Sequence, residues 1–142
     1  MPHEDCGNAV MLYITGLGLT DWDNNEIPLY YPDVAASDPA PTGTHIRLDV
    51  FNTTPEKLCV EPGNAEVARK WLIQITVCVR DGIGIIKPSS VIDKITDAFP
   101  FAGRITSGDF SLKIVDAPEA IQRLKGDGWV KFPVQIPVLH IT

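Results

Sequence analysis

The polar residues best spaced for chemistry are His45, Arg47 and Asp49, which alternate with Ile46, Leu48 and Val50 and so project from one face of an extended segment. A base, an anion-binding guanidinium and a carboxylate on one face would suit a small-molecule-binding or hydrolytic enzyme. No nucleophile stands beside them, however, and solvent-facing strand residues take the same pattern. The run Gly82-Ile83-Gly84-Ile85-Ile86-Lys87 shares part of the pattern of a phosphate-cradling loop. It lacks the third glycine and a following Lys-Ser/Thr pair, and reads instead as a turn between elements. His3 and Cys6 have no second pair at zinc-site spacing, and read as part of a disordered N-terminus. Asp21, Asp23 and Glu26 lack the glycine and terminal glutamate of a calcium loop, which leaves a solvated turn. Ser37, Ser89, Ser90, Ser107 and Ser111 have no activating context. The expectation is no catalytic residue, no metal and no cofactor. Trp71 and Trp129, read as strand starts, fit packing or an interface better than stacking on a ligand.

Bulk composition agrees with a binding or structural role. The 142 residues suit one domain, and 44% apolar with 21% charged residues is ordinary globular composition. A net charge of −6 with only 12 Lys+Arg gives no basic stripe along the sequence, which disfavours specific nucleic-acid binding. Cys6, Cys59 and Cys78 are an odd set in a chain too large to need stapling, so reduced thiols are expected. The apolar stretch 9–19 is broken by Thr15, Gly16 and Gly18 and has no basic run before it, so neither a signal peptide nor a membrane association is expected. The acceptor-like Asn52-Thr53-Thr54 is then incidental.

The elements that must position these residues follow from periodicity. Residues 4–19 predict a helix closed by Gly16 and Gly18, and 20–26 a polar turn. Residues 27–32 are extended by their prolines, and 33–43 form an exposed arm. Residues 44–51 and 69–80 alternate as two strands of a long hairpin, separated by a stretch at 52–68 longer than the ~12–15 residues usual for an unstructured loop. Pro88 opens a helix with Val91, Ile92, Ile95, Ala98 and Phe99 on one face, and Pro100 ends it. Residues 109–115 form a further strand with Phe110, Leu112 and Ile114 inward, and Gly126-Asp127-Gly128 turns into a last one. In that strand Pro133 and Pro137 share a parity, so both missing N–H groups fall on one lateral side, which predicts a sheet edge. The result is a single α+β domain over residues 1–142, its mostly antiparallel sheet having about four or five strands.

In order, Ile27-Pro28-Leu29-Tyr30-Tyr31-Pro32-Asp33-Val34, the strand from Trp71 to Val79, the segment 84–100 and Gly126-Asp127-Gly128-Trp129-Val130-Lys131-Phe132-Pro133-Val134-Gln135-Ile136-Pro137 resemble the tail terminator proteins of long-tailed bacteriophages. The resemblance implies a sheet flanked by helices and a structural virion protein. Such a protein forms a hexameric ring on the head-proximal end of the tail tube, stops its polymerisation and offers a face to the neck. The implied partners are further copies of the chain, the tail tube protein and a neck or head-completion protein. DNA would pass through without specific binding, which the acidic balance suits. Assembly would take place in the bacterial host cytoplasm. Another neck or head-completion ring subunit is the nearest alternative, and an enzyme built on His45, Arg47 and Asp49 the alternative from another class. The extensions at 33–43 and 52–68 are the expected suppliers of contacts. Asp33, Asp38, Pro41, Glu56, Lys57, Glu61 and Asn64, with Trp71 and Trp129, are the residues expected at the subunit or tube interface.

Overall fold

Two long alternating segments, each apolar on one side, can bury that side only by pairing with each other and presenting it to another layer. The computed structural model describes residues 2–30, 43–52, 56–57, 67–84, 86–107, 110–126 and 128–141. In chain order its elements are α1 (Pro2–Leu17), β1 (Leu29–Tyr30), β2 (His45–Asn52), β3 (Glu56–Lys57), β4 (Val67–Arg80), α2 (Ile86–Ala98), β5 (Arg104–Ser107), β6 (Phe110–Ile114), β7 (Glu119–Ala120), β8 (Leu124–Gly126) and β9 (Trp129–Ile141). They form one sheet of order β1-β2-β4-β9-β6-β5, with β3 beside β4, and β7 and β8 beside β9. The expected hairpin is present: β2 and β4 pair antiparallel from His45↔Cys78 to Asn52↔Trp71.

The α+β class holds, but the strands outnumber the expected four or five. Those missed are β3, β5, β7 and β8. They are short, and β7 and β8 are exposed throughout, so no apolar alternation marks them. Main-chain pairing with longer neighbours holds them in place. The 52–68 stretch contains β3 and the first residues of β4, so Trp71 lies inside β4 and not at its start. The arm at 33–42 lies outside the described residues.

The last strand is not an edge. β9 pairs with β4 without interruption from Ala68↔Ile141 to Arg80↔Trp129, and its other side carries β6, β7 and β8 in turn. The lateral argument from the prolines nevertheless holds. The carbonyls of Pro133 and Pro137 accept from Ile121 and Val115, on the β6–β8 side, so the missing N–H groups point that way too. Partner strands there cover only 138–139, 134–135 and 129–131 of β9, and the gaps fall at 136–137 and 132–133. The prolines thus break a neighbouring strand into three pieces instead of leaving a bare edge.

Both helices cover the same sheet face. Val10 and Ile14 of α1, and Val91 and Ile95 of α2 with Phe99 just beyond it, join Leu48, Ile73, Ile75, Val134 and Ile136 in the core. Leu112 and Ile114 point inward as expected. Gly18, at φ 60°, ends α1 in the left-handed conformation that glycine adopts without a Cβ clash, its N–H reaching the Thr15 carbonyl at 3.3 Å. Helix α2 begins two residues before the expected Pro88, which sits in the first turn where a missing N–H leaves no bond unmade. The helices are tied together by the Tyr13 hydroxyl, which donates to the Ala98 carbonyl, and by the Tyr13 and Phe99 rings, 5.1 Å apart.

Candidate interaction surface

Because residues opposite each other in an antiparallel ladder share a face, the registers define the sheet face that the helices leave uncovered. Its rows run Arg80–Trp129, then His45–Cys78–Lys131–Leu124, then Arg47–Thr76–Pro133. They continue through Asp49–Gln74–Gln135–Glu119, Phe51–Leu72–Pro137 and Lys70–Leu139–Lys113. Gln135 Nε2 donates to Gln74 Oε1 at 3.2 Å. Phe51 (47% exposed) and Leu124 (59%) leave large apolar surface on this side.

One end of the face carries a ladder of rings. The Tyr30 and His45 rings meet edge-on at 5.5 Å, His45 and Trp129 likewise at 5.0 Å, and the Arg80 guanidinium lies 4.1 Å from the Trp129 ring centre. His45 was expected to face solvent and is only 3% exposed. The rings on either side close over it, which alternation alone does not reveal. Its Nδ1 sits 3.0 Å from the Gly43 carbonyl, an acceptor only, so that nitrogen carries the proton. Nε2 has no hydrogen-bond partner among the described residues.

Burial lowers the His45 pKa from 6.5, and Arg47, Lys131 and Arg80 add repulsion, against the Gly43 carbonyl, which raises it. The unfolded chain therefore takes up a proton near pH 6.5 that the folded one resists, so stability falls as pH drops below that value. Urea midpoints measured at pH 7.5 and 5.5 should decline toward acid, and His45→Phe should flatten the slope. Asp49, raised from 3.8 mainly by burial and lowered by Arg47, acts with the opposite sign, because its proton is taken up more readily by the folded chain than by the unfolded one. An unchanged slope in the variant would remove His45 as its source.

His45, Arg47 and Asp49 do share a face, as expected. The thiol nearest them in register is Cys78, which is fully buried. Its Sγ is directed to the Thr76 carbonyl at 3.9 Å, and burial pushes its pKa up. A buried protonated thiol is a poor nucleophile. Cavities of about 240, 190 and 510 Å³ lie elsewhere, against α1 and β1, at the β4–α2 turn, and between the ends of the two helices. Gly82 and Gly84 have φ of 96° and 91°, as the turn reading requires. Asp21 Oδ1 accepts from the N–H groups of Asp23 and Asn25, which makes this cluster a self-bonded turn.

Of the expected interface residues, Trp129 lies partly exposed on the open face. Trp71 is 2% exposed in the core, so it serves packing and presents no surface. Glu56 and Lys57 form β3 against β4 at the sheet margin. Asp33, Asp38, Pro41, Glu61 and Asn64 lie outside the described residues. The sequence reading missed the cationic character of the open face. Alternation in β4 and β9 was visible, but which polar residues of different strands share a row depends on register.

The described chemistry-bearing side chains of this α+β domain are engaged in packing or stand on the open sheet face. The family model described as phage tail terminator protein matches residues 10–137. The chain belongs to the phage tail terminator protein family, whose members are structural components of the phage tail. No curated protein matches it. Six chains of solved structures match, one of them at 15% identity and a TM-score of 0.64, covering 96% of this chain and 95% of that chain. At that identity the likeness shows the fold alone.

Proposed function

We propose that the chain forms a ring, hexameric in number, on the head-proximal end of a tail tube, where it ends tube growth and presents a surface to a neck or head-completion protein. The observation that carries this reading is the family match, which spans the sheet and both helices from within α1 to Pro137 of β9. Termination is a matter of surfaces: a ring that binds the tube end on one side and cannot template another layer on the other stops polymerisation without chemistry. DNA passes through the ring without specific contacts, and assembly takes place in the host cytoplasm before the tail joins the head.

Electron microscopy of tail tubes polymerised with and without the purified chain tests the reading. Tubes grown with it should be capped and of limited length. Unchanged length distributions and bare ends would refute it. The extension after β3 is the proposed tube contact, so deletion of residues 58–64 should leave the circular dichroism spectrum intact and abolish capping. Capping retained by that variant would move the contact elsewhere.

A further inference from the structure

The charges on the open sheet face run against those of the chain. Arg47, Lys70, Arg80, Lys113 and Lys131 stand there with only Asp49 and Glu119 as described acidic side chains, in a protein of net charge −6. Among the described residues, acidic side chains stand on the opposite, helix-bearing side. Asp93 and Asp97 are exposed on α2, each two residues, or about 200° of helical turn, from the core-facing Val91 and Ile95. The turn carrying Asp21, Asp23 and Glu26 is linked to them by Lys94, whose Nζ donates to the Thr20 carbonyl at 3.3 Å. Between turn and helix lies an open groove of about 510 Å³ with Leu17, Leu19 and Ala98 in its lining.

We infer that the open sheet face docks onto the acidic helix side of a second copy of this chain, cationic rows against Asp93, Asp97 and the 21–26 turn. This assignment rests on the ring reading above. A ring of identical subunits needs two different, mutually complementary surfaces on each chain, facing roughly opposite ways, so that the contact repeats head to tail and closes. The sheet separates these two surfaces. Their charges are complementary, and complementary fields select partner and register while like faces repel. Exposed Phe51 and Leu124 supply apolar area that charge pairing lacks.

The test is a charge swap read as mass in solution by light scattering and as ring images, with thermal unfolding as the control for folding. Lys113→Glu with Lys131→Glu, and separately Asp93→Lys with Asp97→Lys, change exposed side chains and should each weaken self-association at least tenfold. All four substitutions in one chain should restore it, and the rings of the parent should dissociate at high salt. If the parent forms rings and both paired variants form them at the same concentration, the interface assignment fails while the ring reading stands. A parent that stays monomeric alone and on tubes removes both. Loss of duplex DNA binding by Lys113→Glu/Lys131→Glu with self-association unchanged would make the partner a nucleic acid and overturn the assignment.

Discussion

Trp71→Ala is expected to destabilise the subunit by about 3–5 kcal/mol, the range for deleting a large buried aromatic from a core. The indole is 2% exposed, and its strand position is flanked by Asn52 of β2 and Val138 of β9. The surrounding strands are fixed by continuous ladders, so the walls cannot collapse into the vacated volume and the cavity adds to the lost burial. Against a total stability of about 5–15 kcal/mol for a domain, that loss leaves a marginal fold. Urea denaturation followed by circular dichroism measures it. Trp129→Ala, on the half-exposed ring ladder, should lose much less. A Trp71→Ala midpoint as high as that of Trp129→Ala would contradict the core assignment.

Gln74→Pro should have an effect of similar size for a different reason. Gln74 lies in β4, hydrogen-bonded between β2 and β9, with Asp49 opposite on one side and Gln135 on the other. The odd-numbered groups of β9 point to the β6–β8 side, as the Pro133 and Pro137 carbonyls show, so Gln135 turns away from β4. The main-chain groups of Gln74 therefore face Asp49 in β2. Proline there removes a ladder donor, leaves the Asp49 carbonyl without it and puts a ring against the neighbouring strand, a loss of about 3 kcal/mol. Gln74→Ala, which keeps the main chain and loses only the bond to Gln135, should lose about 1 kcal/mol. Equal midpoints for the two variants would mean that the β2–β4 ladder is not as described. The tolerated Pro133 and Pro137 on the adjacent strand make the comparison sharp, because their missing donors face gaps between short strands.

Much of this architecture is legible in residue order. The alternation of residues 44–51 and 69–80 predicts β2, β4 and their pairing, since a period of two with one apolar face has few other uses. The spacing of Val91, Ile95 and Phe99 predicts the buried side of α2, and Gly18 the end of α1. The resemblance carried by the 27–34 segment and the Gly-Trp ending points to the family that the match over residues 10–137 shows. These are local or pattern properties, and they survive without knowledge of neighbours.

What residue order did not determine is what depends on lateral neighbours. Parity put the two missing N–H groups of β9 on one side, but whether that side meets solvent or three short strands was decided by how the chain from Phe110 to Gly126 returns along β9. Those pieces are held by main-chain bonds, which side-chain pattern does not encode. His45 shows the same division. Its face was readable from alternation, but its burial and its depressed basicity come from Tyr30 and Trp129, distant in sequence and adjacent only in the sheet. The cationic character of the open face likewise exists only once register sets Arg47, Lys113 and Lys131 on one side of the sheet. Sequence by itself determined the periodicities, the turn chemistry and the kinship. Tertiary structure decided which faces are closed and which are left to bind, because solvent exclusion belongs to pairs of elements and not to any one of them.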